Sequence, residues 1–221
     1  MIKITNLLNE PQISKLKEIL AGATFVDGKL NVGKVAKKVK ENEEIQQEPE
    51  IMQRLQRIIM SSIAHNSEFR NAALPNKLAD FIFARYQPGM RYGDHVDDPI
   101  MGGGKLRTDV SMTIFLNEPE EYVGGELTIT TSFGEQKVKL KAGDAVLYPT
   151  SSTHRVAEVT KGERLVALTW IQSFVKDSTK RDLLYEMNLV REYLLGNNSE
   201  DEYSKIIDRS YVNLLRMWAD L

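Results

Sequence analysis

Histidine is scarce in this chain, three in 221 residues, and two of the three stand where a metal could use them. His95 and Asp97 form an H-x-D pair; His154 follows much later, with Arg164 a short distance beyond it. On an extended strand, residues two apart share a face, so His95 and Asp97 can grip one ion together while a second strand brings His154 to the remaining corner. Two imidazoles and one carboxylate on one face of an octahedron leave the other face open, an arrangement that suits ferrous iron with a bidentate co-substrate and dioxygen. The pattern points to a non-haem Fe(II) oxygenase. Asp94 and Asp98 are near competitors of Asp97, but both have the wrong parity to share a strand face with His95.

Each of these residues also has an ordinary reading. A strand-end His beside acids is a common surface or capping residue, and Asp near Pro99 and Gly102-Gly103-Gly104 is normal turn chemistry. His154 alone could be a buried barrel histidine. Arg164 sits among Leu165, Val166, Ala167 and Leu168, where a guanidinium is expensive to bury without an anion. A bidentate carboxylate partner would satisfy it; a side chain turned to solvent at the strand start is the alternative. Tyr86, beside Gln87-Pro88-Gly89, could offer its hydroxyl to a co-substrate carboxylate or simply pack in the core. Trp170 reads as core. His65 reads as the cationic tip of a helix C-terminus. Lys34, Lys37, Lys38 and Lys40, beside Glu41, Glu43 and Glu44, read as a solvated helical face.

The elements that must position these groups change character twice along the chain. Pro11 to Gly22 carries helical spacing, Val32, Val35, Ala36 and Val39 suggest a second helix, and a third follows Pro49 with Ile51, Met52, Leu55, Ile58, Ile59 and Ile63 inward. From Leu78 the period shortens: LADFIFARY, DVSMTIFLN, GGELTITT, EQKVKLK, AVLYPT, HRVAEVT and RLVALTWIQSF are β-rich runs bounded by Gly, Pro or Asn. That many short strands imply a double-sheet jelly roll or barrel. After Phe174 the pattern is helical again, with a stripe of Leu183, Leu184, Met187, Val190 and Leu194, then Ile206, Ile207, Tyr211, Leu214, Leu215 and Trp218. The expected fold class is mainly β with flanking helices: residues 1–77 an N-terminal helical support, 78–175 the catalytic core, and 176–221 a C-terminal helical extension. The tyrosines and Trp218 of that extension suit either dimerisation or packing on the barrel.

Composition narrows the choices. With 29 basic and 31 acidic residues the formal charge is −2, which argues against a nucleic-acid partner held by phosphate neutralisation. No apolar run is long enough to span a bilayer, and the N-terminal MIKITNLLNEPQ lacks the basic and apolar regions of a secretory signal. There is no cysteine, so thiolate sites, disulfides and cysteine nucleophiles are excluded and His, Asp and Glu remain as ligands. A reducing cytoplasm fits this and helps keep iron ferrous.

The run YQPGMRYGDHVDDP, followed by DVSMTIFLN, EYVGGELTI and AGDAVLYPTSSTHRVAEVTKGERLVALTWIQS, resembles the Fe(II)/2-oxoglutarate dioxygenase domain of prolyl 4-hydroxylase type. FVDGKLNVGKVAKKVKEN and RDLLYEMNLVREYL narrow the resemblance to the bacterial PKHD-type hydroxylases, over nearly the whole chain. Phe25 stands where that family usually has Trp in a W-x-D-G segment. The resemblance implies a double-stranded β-helix core, iron ligands at His95, Asp97 and His154, and a 2-oxoglutarate anchor at Arg164. It also implies ascorbate as the reductant that restores ferrous iron. A carboxylate at position 97 favours hydroxylation over halogenation, which leaves that position without one. The expected reaction hydroxylates an unactivated C–H bond with dioxygen while 2-oxoglutarate is decarboxylated to succinate and carbon dioxide. Two other classes compete: a metal-dependent hydrolase using zinc at the same triad, and a non-catalytic jelly roll that senses iron or 2-oxoglutarate.

Overall fold

The computed structural model describes residues 1–31 and 36–220. In chain order its elements are β1 (Ile2–Ile4), α1 (Glu10–Ala21), β2 (Phe25–Asp27), β3 (Lys40–Glu41), β4 (Glu43–Ile45), α2 (Pro49–Ile63), α3 (Ser67–Ala73), β5 (Pro75–Leu78) and β6 (Ile82–Tyr86). They continue with β7 (Arg91–His95), β8 (Ile100–Met101), β9 (Leu106–Arg107), β10 (Val110–Phe115), β11 (Tyr122–Gly124), β12 (Leu127–Thr131) and β13 (Gly134–Val138). The last are β14 (Ala145–Pro149), β15 (His154–Val156), β16 (Val159–Gly162), β17 (Arg164–Ser173), α4 (Ser178–Asn198) and α5 (Glu202–Trp218).

The helices form where local chemistry starts and stops them. Asn9 accepts a hydrogen bond from the Gln12 amide while the Gln12 side chain accepts from the Asn9 amide, both at 3.0 Å, so two orphan donors are satisfied before the first turn. Pro11 sits in that first turn and Gly22 closes the helix. On α2, Met52, Leu55, Ile59 and Ile63 form the buried stripe expected of a surface helix lying on a sheet.

Two antiparallel sheets make the core. The larger runs β1-β14-β10-β17-β6-β4-β2, with β5 also on β17; the smaller runs β13-β12-β15-β7-β3. Successive residues along a strand alternate faces, and the larger sheet uses both. Its outer face, with Phe83, Ile114, Leu147, Leu165 and Ala167, packs under α1 and α2 in one apolar cluster. Its inner face, with Ala84, Tyr86, Phe115, Tyr148 and Val166, meets Leu127, Ile129, Val138 and Val156 of the smaller sheet in a second cluster. This is the jelly-roll, mainly β fold with flanking helices, and the space between the sheets is where the site lies.

Three local expectations are corrected. The helix over Val32, Val35, Ala36 and Val39 does not continue through its described end: Ala36–Lys38 is a short 3-10 turn and the chain then becomes strand. Val32, Lys34 and Val35 lie outside the described residues. The N-terminal segment also adds β1 to β4 to the two sheets, so its contribution is not helical alone. On α4 the buried residues are Arg181, Leu184 and Asn188, whereas Leu183 and Val190 of the expected stripe are exposed. Arg181 earns its burial by donating to the carbonyls of Val175, Lys176 and Asp109, which ties the start of α4 to the sheet. Among the described residues, no helix is long and apolar enough to cross a membrane.

Candidate metal centre

His95 is the last residue of β7 and His154 the first of β15, and the two are directly opposed in the antiparallel register. Asp97 lies two residues beyond the end of β7, so the pair expected on one strand is split between a strand end and the chain just after it. The three side chains still converge. Asp97 Oδ1 is 3.6 Å from His95 Nε2 and 3.7 Å from His154 Nε2, and among the described residues these form the one group of three such side chains able to hold a metal. Asp94 stays out of the triad: it is exposed at the cavity mouth and reaches Arg155 at 3.2 Å. His65 stays outside, exposed at the end of α2 with Nδ1 2.9 Å from the Ser61 carbonyl.

A second set of contacts aims each ligand atom. His95 Nδ1 lies 2.8 Å from the Gly93 carbonyl and His154 Nδ1 lies 3.1 Å from the Ser152 carbonyl. A carbonyl only accepts, so each Nδ1 carries the proton and each Nε2 presents a lone pair inward. Asp97 Oδ2 accepts from Ser111 Oγ at 2.8 Å and from Trp170 Nε1 at 2.9 Å, which leaves Oδ1 for a cation. Ser111 and Trp170 are register partners on β10 and β17, so one inward row of the larger sheet holds the carboxylate. The rings are confined as well: Tyr92 stacks on His95 at 3.6 Å between centroids, and Tyr148 meets His154 edge-on at 5.1 Å. Burial, followed by the proximity of His154, pushes the His95 pKa down to about 4, so the imidazole is neutral near pH 7. The sequence marked Trp170 as core, noted Tyr92 beside Gln87-Pro88-Gly89 without placing it at the metal, and passed over Ser111. Their contacts with the triad depend on cross-strand pairing, which no local spacing encodes.

The triad opens into a cavity of about 650 Å³ between the sheets, and Arg164 lines the same cavity. Arg164 is 2% exposed, so it does not turn to solvent. No carboxylate among the described residues pairs with it, and its Nε has no hydrogen-bond partner. What it has instead are aromatic faces, Tyr86 at 5.0 Å and Phe115 at 5.7 Å. Tyr86 stands opposite Arg164 in the strand register, and burial pushes its phenol up to about 12, so the hydroxyl keeps its proton and can donate. Gly125 explains how the long side chain fits: at φ +67° it lies where a Cβ would come within 3.0 Å of Arg164 Cδ. A buried cation lacking its anion, in the cavity that holds an open N,N,O ligand set, fits an anionic chelator of a hard divalent ion.

Known proteins agree with this class of site. The family model of the 2OG-Fe(II) oxygenase superfamily matches residues 81–172, the segment that contains the triad, Tyr86 and Arg164. A prolyl hydroxylase from Trichoplax adhaerens, solved with a hypoxia inducible factor peptide fragment, shares the fold with a TM-score of 0.56 at 18% identity, over 82% of this chain and 86% of that one. HygX from Streptomyces hygroscopicus, solved with nickel and 2-oxoglutarate, does so with a TM-score of 0.55 at 13% identity, over 79% and 83%. Full-length similarity goes further. A PKHD-type hydroxylase of Thioalkalivibrio sulfidiphilus is 47% identical over 223 residues, 100% of both chains, and one of Picosynechococcus is 40% identical over 99% of both. The chain belongs to the PKHD-type hydroxylases. It is an iron- and 2-oxoglutarate-dependent dioxygenase, which decides against the hydrolase and the non-catalytic sensor.

Proposed function

We propose that His95, Asp97 and His154 hold Fe(II), that Arg164 anchors the distal carboxylate of 2-oxoglutarate with help from the Tyr86 hydroxyl, and that the enzyme hydroxylates an unactivated C–H bond of an acceptor held in the same cavity. The acceptor is a prolyl or lysyl side chain, a free amino acid or a small metabolite. The observation that carries this reading is the pairing, within one cavity, of three converging ligand atoms with a buried guanidinium that no carboxylate among the described residues pairs. Bound iron and 2-oxoglutarate would supply the hard chemistry, coupling oxidative decarboxylation of the co-substrate to hydroxylation by dioxygen.

The chain's own residues do the rest. The Gly93 and Ser152 carbonyls select the tautomer with its proton on Nδ1, so each Nε2 lone pair faces the metal position. Ser111 and Trp170 keep Asp97 pointed with one oxygen free. Val156, Val166 and Leu168 wall the cavity with apolar surface, which excludes water and strengthens the pairing of Arg164 with a carboxylate. We read residues 78–175 as the catalytic core, 1–77 and 176–221 as its support, the cytoplasm as its compartment, and ascorbate as the reductant that keeps the metal ferrous. Succinate release from 2-oxoglutarate, measured with Fe(II) under air, tests the proposal. The wild-type protein should produce succinate and Asp97→Ala should produce none; succinate formation by Asp97→Ala at the wild-type rate would remove the triad from the mechanism.

A further inference from the structure

Lys40, Asn42 and Glu44 alternate along the segment that carries β3 and β4, and all three line the cavity. Alternation places them on one face. Inward positions in the rest of this barrel are mostly apolar, so three consecutive inward polar residues need a reason. Lys40 and Glu44 form an ion pair with side chains 6% and 2% exposed. The segment crosses between sheets: Lys40 pairs with Tyr92 of the smaller sheet and Glu44 with Ala84 of the larger. The pair is also close to the metal centre. The Lys40 ammonium lies 5.4 Å from the Tyr92 ring centroid, and that ring is stacked on His95. Nothing in the binding of iron or 2-oxoglutarate uses it.

A buried ion pair is a costly way to join two sheets, because well-packed apolar residues serve as well or better. Its value lies in what it offers the cavity. An ammonium carries three N–H donors, and Lys40 has one hydrogen-bond partner among the described residues, Glu44. The remaining donors can meet an acceptor oxygen. The charge of that oxygen follows from its surroundings. Among the described residues Lys40 and Glu44 offset each other, and the two charges of ferrous iron plus that of Arg164 would be balanced by Asp97 and the two carboxylates of 2-oxoglutarate. At the mouth, Asp94 is paired with Arg155, and Asp98 is exposed and screened by water. A group that brought net charge into this interior would have no counter-charge among the described residues.

We propose that Lys40, held by Glu44, is the acceptor-binding residue of this hydroxylase, and that it receives an uncharged amide or carbonyl oxygen of the substrate. This rests on the oxygenase reading above. Lys40 touches the acceptor and sets its position relative to the metal; Glu44 is a positioning residue that holds the ammonium and cancels its charge.

The test uses protein loaded with Fe(II) and 2-oxoglutarate under anaerobic conditions and titrated calorimetrically. The probes are three forms of one ring: N-acetyl-L-prolinamide, N-acetyl-L-proline and L-prolinamide, which are uncharged, anionic and cationic. The uncharged form should bind at least about tenfold more tightly than the other two, because a charge carried into the cavity goes unbalanced. Lys40→Met alone takes one cation from a buried carboxylate, so the working variant is the double Lys40→Met, Glu44→Met, whose apolar pair preserves the fold. It should bind N-acetyl-L-prolinamide at least about tenfold more weakly than the wild type does, because the ammonium donor is gone. The reversed pair, Lys40→Glu with Glu44→Lys, separates a subsite from a clip: a clip is restored by reversal, whereas the subsite is not. Recovery of probe binding by the reversed pair, equal binding of a charged form, or no binding of the uncharged form each overturns the proposal. A control titration with 2-oxoglutarate keeps the two readings apart, since failure of that binding counts against the oxygenase site and not against Lys40. N-acetyl-Gly-Pro-Gly-amide, if it binds more tightly than N-acetyl-L-prolinamide, assigns the amide to a peptide; weaker binding assigns it to a free small molecule.

Discussion

The two faces of the larger sheet are made by the same strands and are held to different standards. Along β17, Leu165, Ala167 and Ile171 face the helices, while Arg164, Val166, Leu168 and Trp170 line the cavity. Along β6, Phe83 faces out while Ala84 and Tyr86 face in. The outer face needs volume and apolarity, which many side chains supply, and its errors cost stability. The inner face needs particular atoms at particular places, and its errors cost ligand binding. A strand that alternates between them therefore carries two independent kinds of information at adjacent positions.

Substitutions on each face should separate the two standards. Leu55→Ala, under the outer face, should destabilise the fold by about 2–5 kcal/mol in denaturant unfolding with little change in the 2-oxoglutarate requirement. A large change in that requirement would mean the faces are coupled. Arg164→Leu should do the reverse, weakening 2-oxoglutarate binding by about 1.5–3 kcal/mol, read as the apparent KM for co-substrate. Because the substitution removes a buried cation without a partner, the unliganded protein should not lose stability. Trp170→Phe removes one of the two bonds to Asp97 Oδ2 and should weaken iron binding by about tenfold, measured by competition with a chelator. Iron affinity unchanged in that variant would make Trp170 packing alone.

A further effect is graded with pH. In the metal-free protein His95 resists protonation down to about 4, whereas the unfolded chain takes a proton near its ordinary value of 6.5. The unfolded state therefore binds more protons in that window, and stability should fall as pH drops from about 6.5 to 4. Chemical unfolding in the presence of chelator at pH 7 and pH 5 measures it. His95→Gln should flatten the slope; the same slope in that variant would assign it to another group.

Much of the site was legible because strand parity is a local rule. It selected Asp97 over Asp94 and Asp98, and Arg164 stood out as a cation in an apolar run. The elements were legible for similar reasons: Asn9, Pro11 and Gly22 bound α1 by local hydrogen bonds, and the period changes near Leu78. Lys40 misled, since a lysine among other lysines and glutamates has the composition of a solvated face, yet it is buried. The C-terminal stripe misled in the opposite sense. Apolar spacing marks which residues could pack, but Leu183 and Val190 have no sheet or helix to cover them among the described residues.

Residue type and spacing alone marked the candidate ligands, Arg164 as a candidate anion site and the β-rich core, because backbone period and the chemistry of nitrogen and oxygen donors act over a few residues. Tertiary structure decided the rest: that Ser111 and Trp170 hold one oxygen of Asp97, that Tyr92 covers His95, and that Lys40 and Glu44 meet across two sheets. Those contacts join positions far apart in the chain, so they exist only once strand register brings them within bonding distance.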